Sequence, residues 1–247
     1  TFQVLVGASA APQPRFDELV TAGMRFVAVA VAAPANRPLF QDPSTLSNIC
    51  ERIIIPNLAL RLSDKECFED NPLEYLRRDI ESSDADTRRR VACDLVEKLC
   101  RNFDEHITHY CFQYLSHLLQ KYMSHPQGEW VAKDAAITLF LAVMVRGSTQ
   151  RDGATRVRDP QTVLEFLKTQ ILPELTPNSP MGNEPSIGND ILKADAVKFI
   201  AVFRRFIPKM DVLSSVFPLL IDCLNSRSVV VYTYAAEALE GILSIRE

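Results

Sequence analysis

Glycine is scarce, at 8 of 247 residues. That disfavours Gly-rich phosphate loops and tight β-hairpins. Basic excess is missing too: the formal net charge is −4, against the basic face usual in a general nucleic-acid binder. No apolar run exceeds the eight residues Phe26 to Ala33, too few to span a bilayer. No basic, apolar-cored leader opens the chain. The six cysteines include no C-x-x-C pair. They read as reduced, buried thiols of a cytosolic or nuclear protein. G-x-S-x-G, H-E-x-x-H, P-loop and dinucleotide fingerprints are all lacking. The chain starts at Thr1 without an initiator Met and stops at Glu247 in mid-pattern, so a fragment of something longer is expected.

What is present is helical periodicity. Apolar residues make up 47%, ample for a core, and no clear alternating strand pattern interrupts them. The spacing predicts a helix over Phe16–Ala33, a loop over Asn36–Pro43, and a helix over Ser44–Leu60. The last carries Leu46, Ile49, Ile53 and Ile54 on one face, with Pro56 near its end. Four helix pairs are expected: Ser44–Leu60 with Asp84–Phe103, His106–Met123 with Trp130–Val145, Pro160–Leu172 with Ile191–Ile207, and Val212–Leu224 with Val229–Ile245.

The second helices share a register. They read Thr87-Arg-Arg-Arg-Val-Ala92, Val131-Ala-Lys-Asp-Ala-Ala136, Leu192-Lys-Ala-Asp-Ala-Val197 and Val231-Tyr-Thr-Tyr-Ala-Ala236. Small residues in the fifth place (Val91, Ala135, Ala196, Ala235) let helix backbones approach closely. The first and last intervals match the roughly 40–47-residue repeat of HEAT and armadillo arrays. The middle one is lengthened by a polar, Pro-rich loop within residues 174–190. The fold expected is all-α: a single HEAT/armadillo-like solenoid of antiparallel helix pairs, an α-α superhelix of about four to five repeats over 1–247. A pair cannot bury its apolar face alone, so pairs stack. A plain helical bundle is the alternative.

Acidity is local. Ser63–Asp86 holds nine acids against three bases, a net −6, and lacks a sustained period. It reads as an insert able to steer or dock a basic partner, or as a solvated linker. Asp84 and Asp86 suit the start of the next helix, where carboxylates cap free N–H groups. Phe68, Tyr75, Leu76 and Ile80 give the insert something to bury.

Few residues suggest chemistry. Arg88-Arg89-Arg90 looks basic, but pairing with the nearby acids or the preceding repeat is expected over phosphate binding. His106, His109, Cys111 and His117 stand at no familiar zinc spacing. Trp130 and Tyr234 read as packing residues. A carboxylate-based all-α enzyme around Asp64–Asp86 remains as a rival of another class.

The run Phe68-Glu-Asp-Asn-Pro-Leu-Glu-Tyr-Leu-Arg-Arg-Asp79, with Asp84-Ala-Asp-Thr-Arg-Arg-Arg90 after it, resembles the importin-α re-export receptors of the importin-β (karyopherin) superfamily. Further matches are Asn48-Ile-Cys-Glu51, Ile55-Pro-Asn57, Trp130 with Lys133-Asp-Ala-Ala136, Leu192–Ile200, and Val230–Ala236. They run in order from about residue 40 to the end; the Gly147–Arg158 and Thr176–Asn189 loops depart. The resemblance implies a HEAT superhelix that binds importin-α together with the GTP form of the small GTPase Ran. It also implies passage through the nuclear pore with its pore proteins, shuttling between nucleus and cytoplasm, and release on GTP hydrolysis. No cofactor, metal, nucleic acid, membrane insertion or catalysis is implied. In that family the acidic insert is implicated in contacting Ran and holding the cargo-free ring. The matched positions are Glu69, Asp70, Glu74, Tyr75, Arg77, Arg78, Asp79, Asp84, Asp86, Arg88, Arg89 and Arg90, with Glu81 beside them. The acids are the expected contacts, the arginines partly structural. Repeats at either end of the family's proteins fall outside this chain, so weak binding or none by the piece alone is expected. Another karyopherin, or a HEAT scaffold outside transport, is the alternative.

Overall fold

Proline opens several of the helices, because its missing N–H costs nothing at a first helical position and its φ is already helical. In the computed structural model, which describes residues 2–11, 13–80, 87–149, 151–182 and 185–245, Pro43, Pro72, Pro126 and Pro160 all stand at helix starts. Asp42 and Asp159 cap two of them, accepting from Ser44 N at 3.2 Å and Gln161 N at 3.1 Å.

The elements run α1 (Phe2–Ser9), α2 (Asp17–Ala32), α3 (43–58), α4 (Leu62–Asp70), α5 (Pro72–Ile80), α6 (Arg88–Ser124), α7 (Pro126–Met144), β1 (Val145–Thr149), β2 (Gly153–Val157), α8 (160–175), α9 (Ile187–Phe203), α10 (209–224) and α11 (Val229–Leu243). α6 is two helices joined at Phe103, whose φ −139° and ψ 45° break the spiral. The expected helices on either side of Phe103 are therefore both present, with one residue between them instead of a loop.

The chain forms an all-α solenoid in two layers. α2, the first half of α6, α7, α9 and α11 make one row, each packed on the next. The partner layer holds α1, α3, the second half of α6, α8 and α10. The fifth-place small residues lie where the shared register puts them: Val91, Ala135, Ala196 and Ala235 are all buried. The middle of the core is aromatic. Phe140 of α7 stacks on Phe166 of α8 with centroids 3.9 Å apart. Phe199 and Phe203 of α9 lie 5.7 Å and 6.3 Å from Phe140. Rings of this size bury large apolar areas and tie three helices at once.

α3, α8 and α10 share a device that the periodicity hid. Each contains a π-turn (Cys50–Ile54, Leu167–Ile171, Val212–Val216) followed two residues on by a proline: Pro56, Pro173 or Pro218. A proline inside a helix has no N–H to give and its ring crowds the carbonyl four residues back. Widening the turn by one residue just ahead of it accommodates both.

Three expectations are corrected. Asn36–Pro43 is not simply a loop, since a 3-10 helix covers Pro34–Phe40. Within the acidic stretch, where no sustained period was expected, residues 63–80 are largely helical, and 81–86 lie outside the described residues. α4 and α5 form a helical hairpin closed on Phe68 and Leu76, both buried, with Tyr75 edge-on to Phe68 at 5.1 Å. Each helix has only nine residues, too few for a period to stand out. Finally, the loop around Gly147–Arg158 is an antiparallel β-hairpin despite the scarcity of glycine. Its register shifts beside Gly147 erase any alternation. Gly153 supplies the left-handed turn at φ 69°, a conformation costly for other residues. The hairpin is held from outside: Asp104, just past the α6 break, accepts from Arg146 at 2.6 Å and also from Arg158.

The polar stretch after α8 is pinned rather than loose. Glu174, Ser179 and Met181 are buried, and Ser179 donates to Glu174 at 2.9 Å.

Candidate partner-binding site

The acidic hairpin is built locally. Asn71 begins α5, accepting from Tyr75 N at 3.1 Å through its carbonyl and from Glu74 N at 3.4 Å through its side chain. Glu74 sits in the first turn, where a carboxylate opposes the helix dipole. It accepts from Arg77 at 2.5 Å and Arg78 at 2.9 Å. Arg78's hydrogen bond is the main cause that holds the Glu74 carboxyl below its ordinary pKa. Glu74 is thus engaged by its own helix. Glu69 and Asp70 at the end of α4 are exposed, as is Glu66. α5 also packs against α11, so the hairpin reaches from the α3–α6 pair to the far end of the second-helix row.

Beneath it lies a cleft of about 1540 Å³ lined by Tyr75 and Arg78 of the hairpin, Arg89 and Arg90 of α6, Lys198 of α9 and Tyr234 of α11. Its charges are mixed, with Asp64, Asp195, Glu237 and Glu240 also on the wall. Such a wall can receive polar chains of either sign but forms no dry catalytic pocket.

The three consecutive arginines diverge. Arg88 is 4% exposed and points back to the preceding pair. It donates to Asp17 at 2.8 Å and to the carbonyls of Ala8, Ala11 and Gln13 at 3.3, 3.1 and 3.4 Å. Burial lowers its pKa, and Arg61 beside it lowers it further. Asp17 also accepts from Arg61 at 2.5 Å. Arg89 points forward, which was not expected. It donates to Asp134 at 2.6 Å and to Thr138, both on α7. Burial works against its charge, yet Asp134, then Asp195, raise its pKa above the ordinary value. Arg90 is exposed, and its N–H is capped by Thr87 at 3.2 Å.

The candidate residues therefore separate. Glu69, Asp70, Arg77, Arg78 and Arg90 are exposed, and Tyr75 is half-buried against Phe68. Arg88 and Arg89 join repeats. Asp79 stands in the last turn of α5, its side chain outside those described, and Glu81, Asp84 and Asp86 lie outside the described residues. Among the described residues no group of three potential ligands is placed to hold a metal, and no single helix is long and apolar enough to cross a membrane. His106, His109 and His117 are exposed, and Cys111 is buried.

Sequence reasoning missed the buried polar network. Lys133 and Glu174, each 2% exposed, sit 3.7 Å apart. Tyr122 donates to Glu174 at 2.9 Å, and Lys133 donates to Gln170 at 2.7 Å. Burial pushes the Lys133 pKa down to about 8 despite Glu174. The available signal was a charged residue flanked by small ones on a buried face, as in Ala132-Lys-Asp-Ala135.

A family model described as Cse1 matches residues 1–239. Exportin-2 of Homo sapiens is 43% identical over 232 residues, covering 94% of this chain and 23% of that protein. Exportin-2 of Drosophila melanogaster is 43% identical over 234 residues, with the same two shares covered. A solved structure, "The exportin Cse1 in its cargo-free, cytoplasmic state", superposes with a TM-score of 0.86 at 34% identity, over 98% of this chain and 26% of that one. The chain thus spans about a quarter of the length of these relatives.

Proposed function

The chain belongs to the Cse1 family, and from that premise we propose that it is a segment of a nuclear export receptor. The receptor binds importin-α together with the GTP form of Ran, returns importin-α to the cytoplasm and shuttles through the nuclear pore in contact with pore proteins. One observation carries the reading: the likeness to exportins spans 94% of the chain, the acidic hairpin lying between matched helix pairs rather than at an edge. The chemistry supports it. A stack of helix pairs offers a long surface to a large protein guest and flexes by small movements between neighbours. The exposed carboxylates of Glu66, Glu69 and Asp70 offer a basic guest an approach that salt weakens.

The likeness to exportins does not favour a scaffold outside transport. An enzyme built on the insert's carboxylates is disfavoured as well, since Glu66, Glu69 and Asp70 are exposed, while Asp64 is bonded to Arg61 N at its helix start and Glu74 to Arg77 and Arg78.

The test is a binding assay on the full-length receptor carrying this segment, with importin-α and Ran locked in its GTP or GDP form. Assembly only with the GTP form is expected. Reversing Glu66, Glu69 and Asp70 to Lys should weaken it more at low salt than at high salt. Equal recovery with both nucleotide states would refute the receptor reading. Unchanged low-salt affinity of the reversed variant would remove only the hairpin from it.

A further inference from the structure

Asp134 and Asp195 occupy the same place in the shared register, fourth in the runs that begin at Val131 and Leu192, on the neighbouring helices α7 and α9. In each carboxylate Oδ2 is buried and has no hydrogen-bond donor. Unsatisfied buried carboxylate oxygens are costly, and two on facing helices doubly so. Because both atoms are closed off from the cleft, nothing docking there could supply the donor. Fixed charge offers only a partial answer. Arg89 of α6 binds Asp134 through Oδ1, and its single positive charge balances one carboxylate, not two.

We propose that Asp134 and Asp195 hold one proton between them, so that the contact between α7 and α9 is an O–H···O hydrogen bond that a rise in pH removes. Arg89, the two carboxylates and the shared proton then sum to zero charge, and Lys198 and Glu237 nearby add one charge of each sign and leave that sum unchanged. The groups facing the pair are Arg89 and Cys93 from α6, Tyr75 from α5 and Lys198 from α9, with Tyr234 and Glu237 of α11 across the cleft. Arg89 and Lys198 favour ionisation of Asp195. Burial first, then Asp134, outweigh them and raise its pKa well above the carboxylate range. The cluster links three successive helices of one row, α6, α7 and α9, and so couples the closeness of those repeats to protonation.

A carboxyl whose folded pKa is raised contributes stability that is complete at low pH and lost as pH climbs from the unfolded value toward the folded one. The experiment compares the protein with Asp195→Asn, whose amide donates to Asp134 without a proton to lose. Urea unfolding is measured at about pH 5.5, 6.5 and 7.5. The variant should gain on the parent by up to tenfold in folding constant per pH unit, one proton's worth. A parent-to-variant ratio that stays flat across the range would overturn the proposal. Should the variant not fold, carbon-13 carboxyl spectra of the aspartate-labelled parent decide at about pH 6.5. One resonance at the protonated position is expected, and only ionised aspartates would overturn it.

Discussion

Replacing Glu174 by Gln tests the buried lysine most directly. The change keeps one acceptor oxygen within reach of Tyr122 and Ser179, exchanges the other for an amide donor, and removes the charge that faces Lys133. With Lys133's pKa at about 8 against an ordinary value near 10.5, keeping it charged in the fold costs roughly 3 kcal/mol near pH 7. Without Glu174 the lysine folds neutral, and the added cost is bounded by its remaining protonation in the parent. That bound is nearly zero near pH 9, about 1.4 kcal/mol near pH 7 and about 2.7 kcal/mol near pH 6. The sign follows from a folded pKa below the unfolded one. The penalty is whole below the folded value and fades as pH climbs toward the unfolded one. Urea unfolding of parent and variant, followed by far-ultraviolet circular dichroism at those three pH values, gives the differences. A loss of stability that does not grow as pH falls would show that Glu174 is not what keeps Lys133 charged.

Two further outcomes follow from the same geometry. Arg88→Ala strands the carbonyls of Ala8, Ala11 and Gln13. Asp17 keeps Arg61, so the loss should fall near the low end of the roughly 3–5 kcal/mol for breaking a buried pair. Hydrogen exchange should lose protection first in α1, because a stacked array fails locally. Gly153→Ala puts a Cβ 2.6 Å from the Val202 carbonyl oxygen at a left-handed φ. A cost of about 2 kcal/mol is expected, read as a lower melting temperature and faster exchange in β1 and β2.

How far the sequence could be read depended on length. α2, α7, α9 and α11 were legible because 15 to 19 residues repeat a face several times, and because Ala135, Ala196 and Ala235 mark one register. α4 and α5 were not, since nine residues, about half of them charged, show little more than two turns. The β-hairpin stayed hidden because its stability comes from Asp104, some forty residues earlier in the chain. For the candidate site, Phe68, Tyr75 and Leu76 signalled burial within the acidic stretch, and the structure uses all three. The division of labour among Arg88, Arg89 and Arg90 could not be read, because three adjacent helical residues point about 100° apart and their partners are Asp17 and Asp134, far away in both directions.

Phe103 stands where most helix pairs have a connecting loop, and that alters how movement passes along the molecule. A loop absorbs rotation over many soft dihedrals, whereas here one residue's φ and ψ set the crossing of two long rods. The Phe103 ring lies 6.4 Å from Phe40 and under Arg37 at 5.9 Å, so the 3-10 segment presses on the pivot like a doorstop. A change of angle at Phe103 therefore has to carry Pro34–Phe40 with it, because the two segments are in contact at the joint.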